Sequence, residues 1–396
     1  MGISPSKLLR RPSTTVTLAD ELIVEVISFL DVKSLMRFKC VSKSWNLLIS
    51  DPFFVKRHLL KSSRKPYLTL LSSSYSKIAL LNPFPISRLF ENSSVNLVDH
   101  NPNCQLIDCR DQHDIIGSCN GLICFHGSVQ DTAEIYLYLW NPAMRTFSEK
   151  SMPFWYFDSD SLSEFSFGYD SLTDKYKVVD FHHSRVRVFT FGDNVWKNIQ
   201  SFPTHPYICT YNCVNCGVYL NNSLNWLSLL NGVCSSFYYW KDISIDQFVI
   251  ISLDLGMETY TQIPFPWGFD EVPPAAPIVC VLMDSLCFSH YSRENNFIIW
   301  QMKKFGFQES WTKLLKFNYV SIFGSLLPSF NFQVDHLWPL HLSEDGDTLI
   351  LANTDGQLIH YNMIDNRIAD KSLITNYTDW FFVDNYVESL VSTCWK

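Results

Sequence analysis

Residues 17–61 read TLADELIVEVISFLDVKSLMRFKCVSKSWNLLISDPFFVKRHLLK, and the reading of the whole chain turns on them. The spacing predicts three or four short helices. The first apolar run holds Leu22, Ile23, Val24, Val26, Ile27, Phe29 and Leu30. At ~100° per residue these positions cover far more than one helix face. A helix apolar nearly all round has to be buried, and so small a unit has little core to bury it in. The excess is expected to meet another chain.

The boundaries follow from capping chemistry. Thr17 followed by Asp20 reads as a helix start with an acidic first turn. Asp31 is placed to cap a second helix through Leu35 and Phe38. Asp51-Pro52 supplies a cap and a first-position proline for a further helix carrying Phe54, Val55, His58 and Leu59. Trp45, in mid-unit, is placed to lock the helices together.

These residues resemble the F-box family. The matching order is Leu18, Glu21-Leu22, the long apolar helix, Val32-Lys33-Ser34-Leu35, Arg37-Phe38, Cys40 to Trp45, then Leu48 to Phe53. The resemblance implies docking onto a Skp-type adaptor and, through it, a cullin–RING ubiquitin ligase. With the unburied apolar excess it nominates Leu18, Leu22, Ile27, Leu30, Val32, Leu35, Val41 and Trp45. Some are expected at the interface, others to hold the helices in place. Two positions depart from the family pattern: Ala19 and Asp31 stand where prolines are usual. Loss of the first ring removes a rigid contact.

Composition sets the frame for the remainder. The chain has 396 residues, 47% hydrophobic and 18% charged, as in ordered globular proteins. Aromatics at 15% favour β structure. Residues 1–66 hold 12 Lys or Arg against 5 Asp or Glu, whereas the remainder holds 19 against 34. An acidic large domain argues against nucleic-acid binding, and a basic helical unit suits an acidic partner. The first thirty residues lack a secretory pattern, and no apolar run is long enough to span a membrane. The 12 cysteines are therefore expected to be free thiols in a cytoplasmic or nuclear protein. Met1-Gly2-Ile3-Ser4-Pro5-Ser6 fits the N-myristoylation pattern at Gly2, a short pattern that chance often supplies.

From about residue 66 the pattern changes to short β runs broken by Asn-Pro, Asn-Gly, Asp-Gly and Asn-Asn. A degenerate phrase recurs: apolar strand, polar turn, second strand with an aromatic, often a proline. Its copies run from Tyr138 to Pro153, Val186 to Pro203, Ile250 to Pro264, Phe297 to Phe317 and Leu358 to Ile374. One four-stranded sheet cannot bury both its faces, but sheets stacked around an axis bury each against the next. About 310 residues at ~50 per blade give roughly six blades, with five or seven open. The region also resembles the F-box-associated, kelch-like domain. Matching pieces include Cys119 to Cys124, Leu139 to Pro142, Asp174 to Val179, Gly217 to Leu227 and Leu342 to Asp347. The expected layout is a flexible N-terminus (1–16), a small all-α F-box (17–61), and an all-β, kelch-like propeller (66–396).

Chemistry-bearing clusters are thin. His205, Cys209, Cys213 and Cys216 invite zinc, but the segment runs into a strand, where alternate side chains diverge. His182-His183-Ser184 and Asp335-His336 are isolated, and no nucleophile elbow, phosphate loop or zinc-protease motif occurs. No catalytic residue, metal or cofactor is expected. The expectation is a non-catalytic receptor that brings an unknown protein substrate to the ligase. The alternative is a carbohydrate-binding or carbohydrate-processing propeller, favoured by the aromatics but leaving the helical unit without purpose. Candidate substrate-binding rim segments are Phe154–Asp160, Tyr207–Asn215, Asn231–Asp242, Trp267–Pro274 and Val320–Asn331.

Overall fold

The computed structural model describes residues 20–62, 67–73, 79–86, 105–107, 112–128, 134–155, 164–182, 185–207, 217–230, 243–323, 337–353, 357–373 and 379–394. Four helices come first: α1 (Asp20–Ile27), α2 (Val32–Lys39), α3 (Lys43–Ser50) and α4 (Pro52–Ser62). Three starts are capped by side chains. Asp31 accepts from the Ser34 N–H at 2.7 Å, Ser42 from that of Trp45 at 3.2 Å, and Asp51 from that of Phe53 at 2.9 Å. Pro52 sits at the first position of α4, where its missing N–H costs nothing. The first helix stops short of the apolar run. Ser28 bonds back to the Glu25 carbonyl at 2.7 Å, and a turn carries Phe29 and Leu30 out of α1. The Thr17 cap lies outside the described residues.

The strands follow, joined into antiparallel sheets. The first sheet holds β1 (Tyr67–Ser73), β2 (Ala79–Pro85) and β3 (Gln105–Ile107). The second holds β4 (Gln112–Cys119), β5 (Leu122–Ser128), β6 (Ile135–Asn141) and β7 (Thr146–Phe147). The third holds β8 (Glu164–Asp170), β9 (Lys175–His182), β10 (Arg185–Thr190) and β11 (Val195–Ile199). The fourth holds β12 (His205–Pro206), β13 (Val218–Leu220), β14 (Ser223–Leu229), β15 (Phe248–Asp254) and β16 (Thr259–Pro264). The fifth holds β17 (Ile278–Leu282), β18 (Ser285–Tyr291), β19 (Asn296–Met302) and β20 (Trp311–Asn318), and a short helix α5 (Tyr319–Phe323) follows it. The sixth holds β21 (Leu337–Leu342), β22 (Thr348–Asn353), β23 (Gln357–Asn362) and β24 (Arg367–Leu373). The last strand, β25 (Asp379–Tyr386), pairs with β1 from Tyr67↔Tyr386 to Ser73↔Asp379. Five sheets are thus built from consecutive strands, and one joins the two ends of the β region.

The arrangement is a β-propeller. Strands β4, β8, β13 with β14, β17, β21 and β25 lie against one another in turn and close a ring. The recurring sequence phrase is the pair of strands lying outermost in each of the five consecutive sheets. Apolar clusters fill the gaps between neighbours. Phe167 and Val178 meet Cys124 and Leu137 between the second and third sheets, and Trp226 meets Phe181 between the third and fourth. Phe288 and Trp300 meet Phe248 and Ile263, and Tyr361 meets Phe317 further round. This is the burial that stacking provides and a single sheet cannot. Two-residue turns at Asn120-Gly121, Asn221-Asn222 and Met283-Asp284 carry positive φ at both positions, the conformation whose twist suits a tight hairpin.

Two buried polar groups inside the ring show how such groups are paired across it. Lys177 meets Asp170 at 2.9 Å and donates to the Leu255 carbonyl of the next sheet at 2.6 Å. The Trp300 N–H donates to His290 Nε2 at 3.2 Å, so the imidazole proton sits on Nδ1, which faces the Tyr291 carbonyl at 3.2 Å. Burial among Phe269, Phe288 and Trp300 brings the His290 pKa down to about 4. The unfolded chain therefore binds this proton more readily than the folded one. Stability contributed by neutral His290 is complete above pH ~6.5 and declines as pH falls toward 4. Melting temperature measured against pH should fall over that window, and His290→Phe should flatten the fall. An unchanged slope in the variant would assign the acid sensitivity elsewhere.

Candidate functional site

In the five consecutive sheets, strand alternation separates the turns within the strand pairs from the connections between sheets. In each consecutive sheet the turn after the innermost strand and the turn between the two outer strands emerge at one end. The connections between sheets, and those between the middle strands, emerge at the other. The helices sit at the first end. Ala143 and Met144, in the turn between β6 and β7, pack against the helical core, as does Leu390 beyond β25. Lys56 of α4 pairs at 3.2 Å with Asp174 in the turn between β8 and β9.

The helical core is small and dry. Val32, Leu35 and Ile49 are fully buried, with Ile27 and Phe54 nearly so. Leu30 and Trp45 are half-buried against them, and the Trp45 and Phe38 rings meet at 5.4 Å. His58, buried in the unit, bonds the Leu30 carbonyl through Nε2 at 2.9 Å. Burial lowers its proton affinity, against smaller opposing effects of that bond and of Asp31. Glu25 on α1 receives both Arg57 and Lys61 from α4, the latter at 2.7 Å. Lys61 also lies 3.6 Å over the Phe29 ring.

Against this core stands a set of large apolar side chains left in solvent. Leu22 is 55% exposed, Val41 67% and Phe53 84%, and Val26, Phe29, Leu47 and Leu60 are also more than half exposed. So much apolar surface on so few residues makes this a candidate docking face. Of the residues nominated from sequence, Leu22 and Val41 lie on that face. Ile27, Val32 and Leu35 are inside, Leu30 and Trp45 line the core, and Leu18 lies outside the described residues. The nomination omitted Val26, Phe29, Leu47, Phe53 and Leu60. Leu22, Val26 and Phe29 recur every three to four residues, and Phe53 and Leu60 are seven apart, so helical spacing could have found them.

The opposite end carries the sheet-to-sheet connections. Of the rim segments, Trp267–Pro274 is described throughout: Trp267 projects into solvent and Phe269 folds under. Phe154 is buried and Trp155 exposed, with 156–160 outside the described residues. Only Tyr207 of Tyr207–Asn215 and residues 320–323 of Val320–Asn331 are described, and Asn231–Asp242 is outside entirely. Near this end Arg187 pairs with buried Asp180 at 2.6 Å, donates to the Trp155 carbonyl at 2.9 Å and lies over the Trp196 ring. Burial, aided by Asp180, raises the Glu164 pKa to about 7. No group of three or more metal-ligating side chains occurs among the described residues. Cys209, Cys213, Cys216, His183, Ser184, Asp335 and His336 lie outside them; His182 is buried on β9.

Comparison with known proteins agrees with this division. Residues 17–57 match the F-box domain, and residues 87–278 match the F-box associated beta propeller domain. The chain belongs to the plant F-box proteins that carry this propeller. It is 29% identical over 371 residues to an F-box/kelch-repeat protein of Arabidopsis thaliana, covering 88% of each chain. It is 23% identical over 409 residues to F-box protein CPR1 of Arabidopsis thaliana, covering 96% of this chain and 89% of that one. The F-box match covers α1 to α3 and the first half of α4, so all of the exposed apolar set except Leu60 lies within the match.

The burial pattern separates two kinds of F-box residue. Leu35→Ala should cost about 2–5 kcal/mol of stability, by deleting fully buried methyls. Phe53→Ala and Leu47→Ala should leave stability within about 0.5 kcal/mol, since their side chains are in water. Denaturant titration of the full-length chain, read out by amide exchange in α2 and α3, measures all three. Equal losses would contradict the division.

Proposed function

We propose that the chain is the substrate-recognition subunit of a Skp–cullin–F-box ubiquitin ligase. The F-box helices hold a Skp-type adaptor, the propeller holds a protein substrate, and the complex marks that substrate for proteasomal degradation. The reading is carried by the exposed apolar set Leu22, Val26, Phe29, Val41, Leu47, Phe53 and Leu60 on helices whose core is already filled. Such a face gains from burial against a partner at roughly 25 cal/mol per Å² of apolar surface removed from water. The excess of basic residues in 1–66 would steer an acidic adaptor onto it.

Substrate recognition is assigned to the propeller end away from the helices, where the connections between the consecutive sheets gather. Loops on a rigid ring vary without disturbing the core. On this reading the chain performs no bond-making step. It raises the local concentration of substrate lysines near the charged ubiquitin carrier.

The test is adaptor capture by the full-length chain. The wild type should bind a Skp-type adaptor at micromolar concentration or better. Leu22→Ala and Phe53→Ala should each weaken binding by about 2 kcal/mol while leaving the melting temperature unchanged. Replacing Trp267 and its neighbours should leave adaptor binding intact. Absence of wild-type binding would overturn the ligase reading.

A further inference from the structure

We propose that Val387–Cys394, the segment following the ring-closing strand, is a clasp that locks the F-box onto the propeller at a single angle. Neighbouring side chains in it enter different cores. Leu390, 5% exposed, completes the helical core with Val32, Leu35, Ile49 and Phe54. Val391 packs with the cluster between the second and third sheets. Two adjacent residues of one short stretch thus plug two cores at once.

Polar contacts fix the segment's position. The Asn141 amide donates to the Ser389 carbonyl at 3.0 Å and to the Val391 carbonyl at 2.8 Å. The other atom of the same amide, Oδ1, accepts from the Met144 N–H at 3.0 Å. Asn141 therefore ties the clasp to the turn that presents Ala143 and Met144 to the helices. The Tyr386 hydroxyl accepts from the Ala143 N–H at 3.2 Å, anchoring that turn to the ring-closing strand. Gly121, at φ +78°, makes room: a Cβ there would lie 2.4 Å from Ser389 Oγ and 2.6 Å from the Val387 carbonyl.

A further tie at this junction is the Lys56–Asp174 pair. Both partners are more than 60% exposed, so water screens it and it contributes little. Apolar insertion of Leu390, Ala143 and Met144, held in register by Asn141, is what holds the angle. This inference concerns how the two parts are joined and does not rest on the ligase reading.

The experiment uses the full-length chain with fluorophores on exposed Asn46 of α3 and exposed Asp345 of the sixth sheet. Leu390→Asp and a chain ending at Tyr386 are compared with the wild type. The wild type should give one narrow distance distribution. Both variants should broaden it, and amide exchange in α2 should accelerate about tenfold or more as Leu35 loses its cover. A distribution and exchange rate unchanged in Leu390→Asp would overturn the proposal. Should the shortened chain fail to fold, Leu390→Asp decides, because it keeps β25 and Asn141; a propeller melting transition retained in that variant is required for support, and its loss counts against a clasp separable from the ring.

Discussion

Four short helices enclose too little volume to bury their own apolar side chains, and the rest of the structure answers to that constraint. The core around Val32, Leu35 and Ile49 is closed on one side by propeller residues: Leu390, beyond β25, and Ala143 and Met144, between β6 and β7. On other sides Leu22, Val26, Leu47 and Phe53 remain in water. The unit is therefore sealed in part by its own propeller and left open elsewhere. A self-sufficient bundle would have no exposed face to offer, and an unsealed one would have little stability of its own. Part of the apolar excess is used inside the chain and part is available outside it.

Ring closure supplies the seal. Strand β25 pairs with β1, so the last residues of the chain return beside the first strand after the F-box. Antiparallel alternation then places the helices beside the tight turns at Met144 and Asp174, and the connections between the consecutive sheets at the other end. The separation between the two regions follows from strand direction alone. It holds whatever the sequence of the connections, which leaves them free to vary.

Much of this was legible in the sequence, and the exceptions share a cause. Capping residues Asp31 and Asp51 act over three positions and are local, so they were readable. The Asn-Gly and Asn-Asn turns at residues 120–121 and 221–222 were readable because positive φ selects those residues. Met283-Asp284 adopts the same turn with neither glycine nor asparagine, imposed by the pairing of β17 with β18. Within the F-box, spacing told that helices would be apolar all round, but not which side the propeller would cover. That depends on Met144 and Leu390, far apart in sequence, and no local pattern marks them. Ile27, Val32 and Leu35 are inside for the same non-local reason, while Phe53, beside a proline and a cap, is outside.

Position 31 illustrates how a motif residue can change while its structural duty is kept. The family pattern has proline there, a residue that stiffens the turn between the first two helices through its ring. In this chain the Asp31 carboxylate accepts from the Ser34 N–H at 2.7 Å and the Ser34 hydroxyl at 3.1 Å, so α2 is started by a cap. Its neighbour Leu30 gives its carbonyl to His58 on α4, which fixes the same turn from behind. Burial favours the neutral form of His58, whereas the Leu30 contact, in which Nε2 donates to a carbonyl, is available to the neutral and the protonated ring alike. A constraint that proline would build into the covalent chain is met here by hydrogen bonds from two directions, a local cap at Asp31 and the His58 contact from α4.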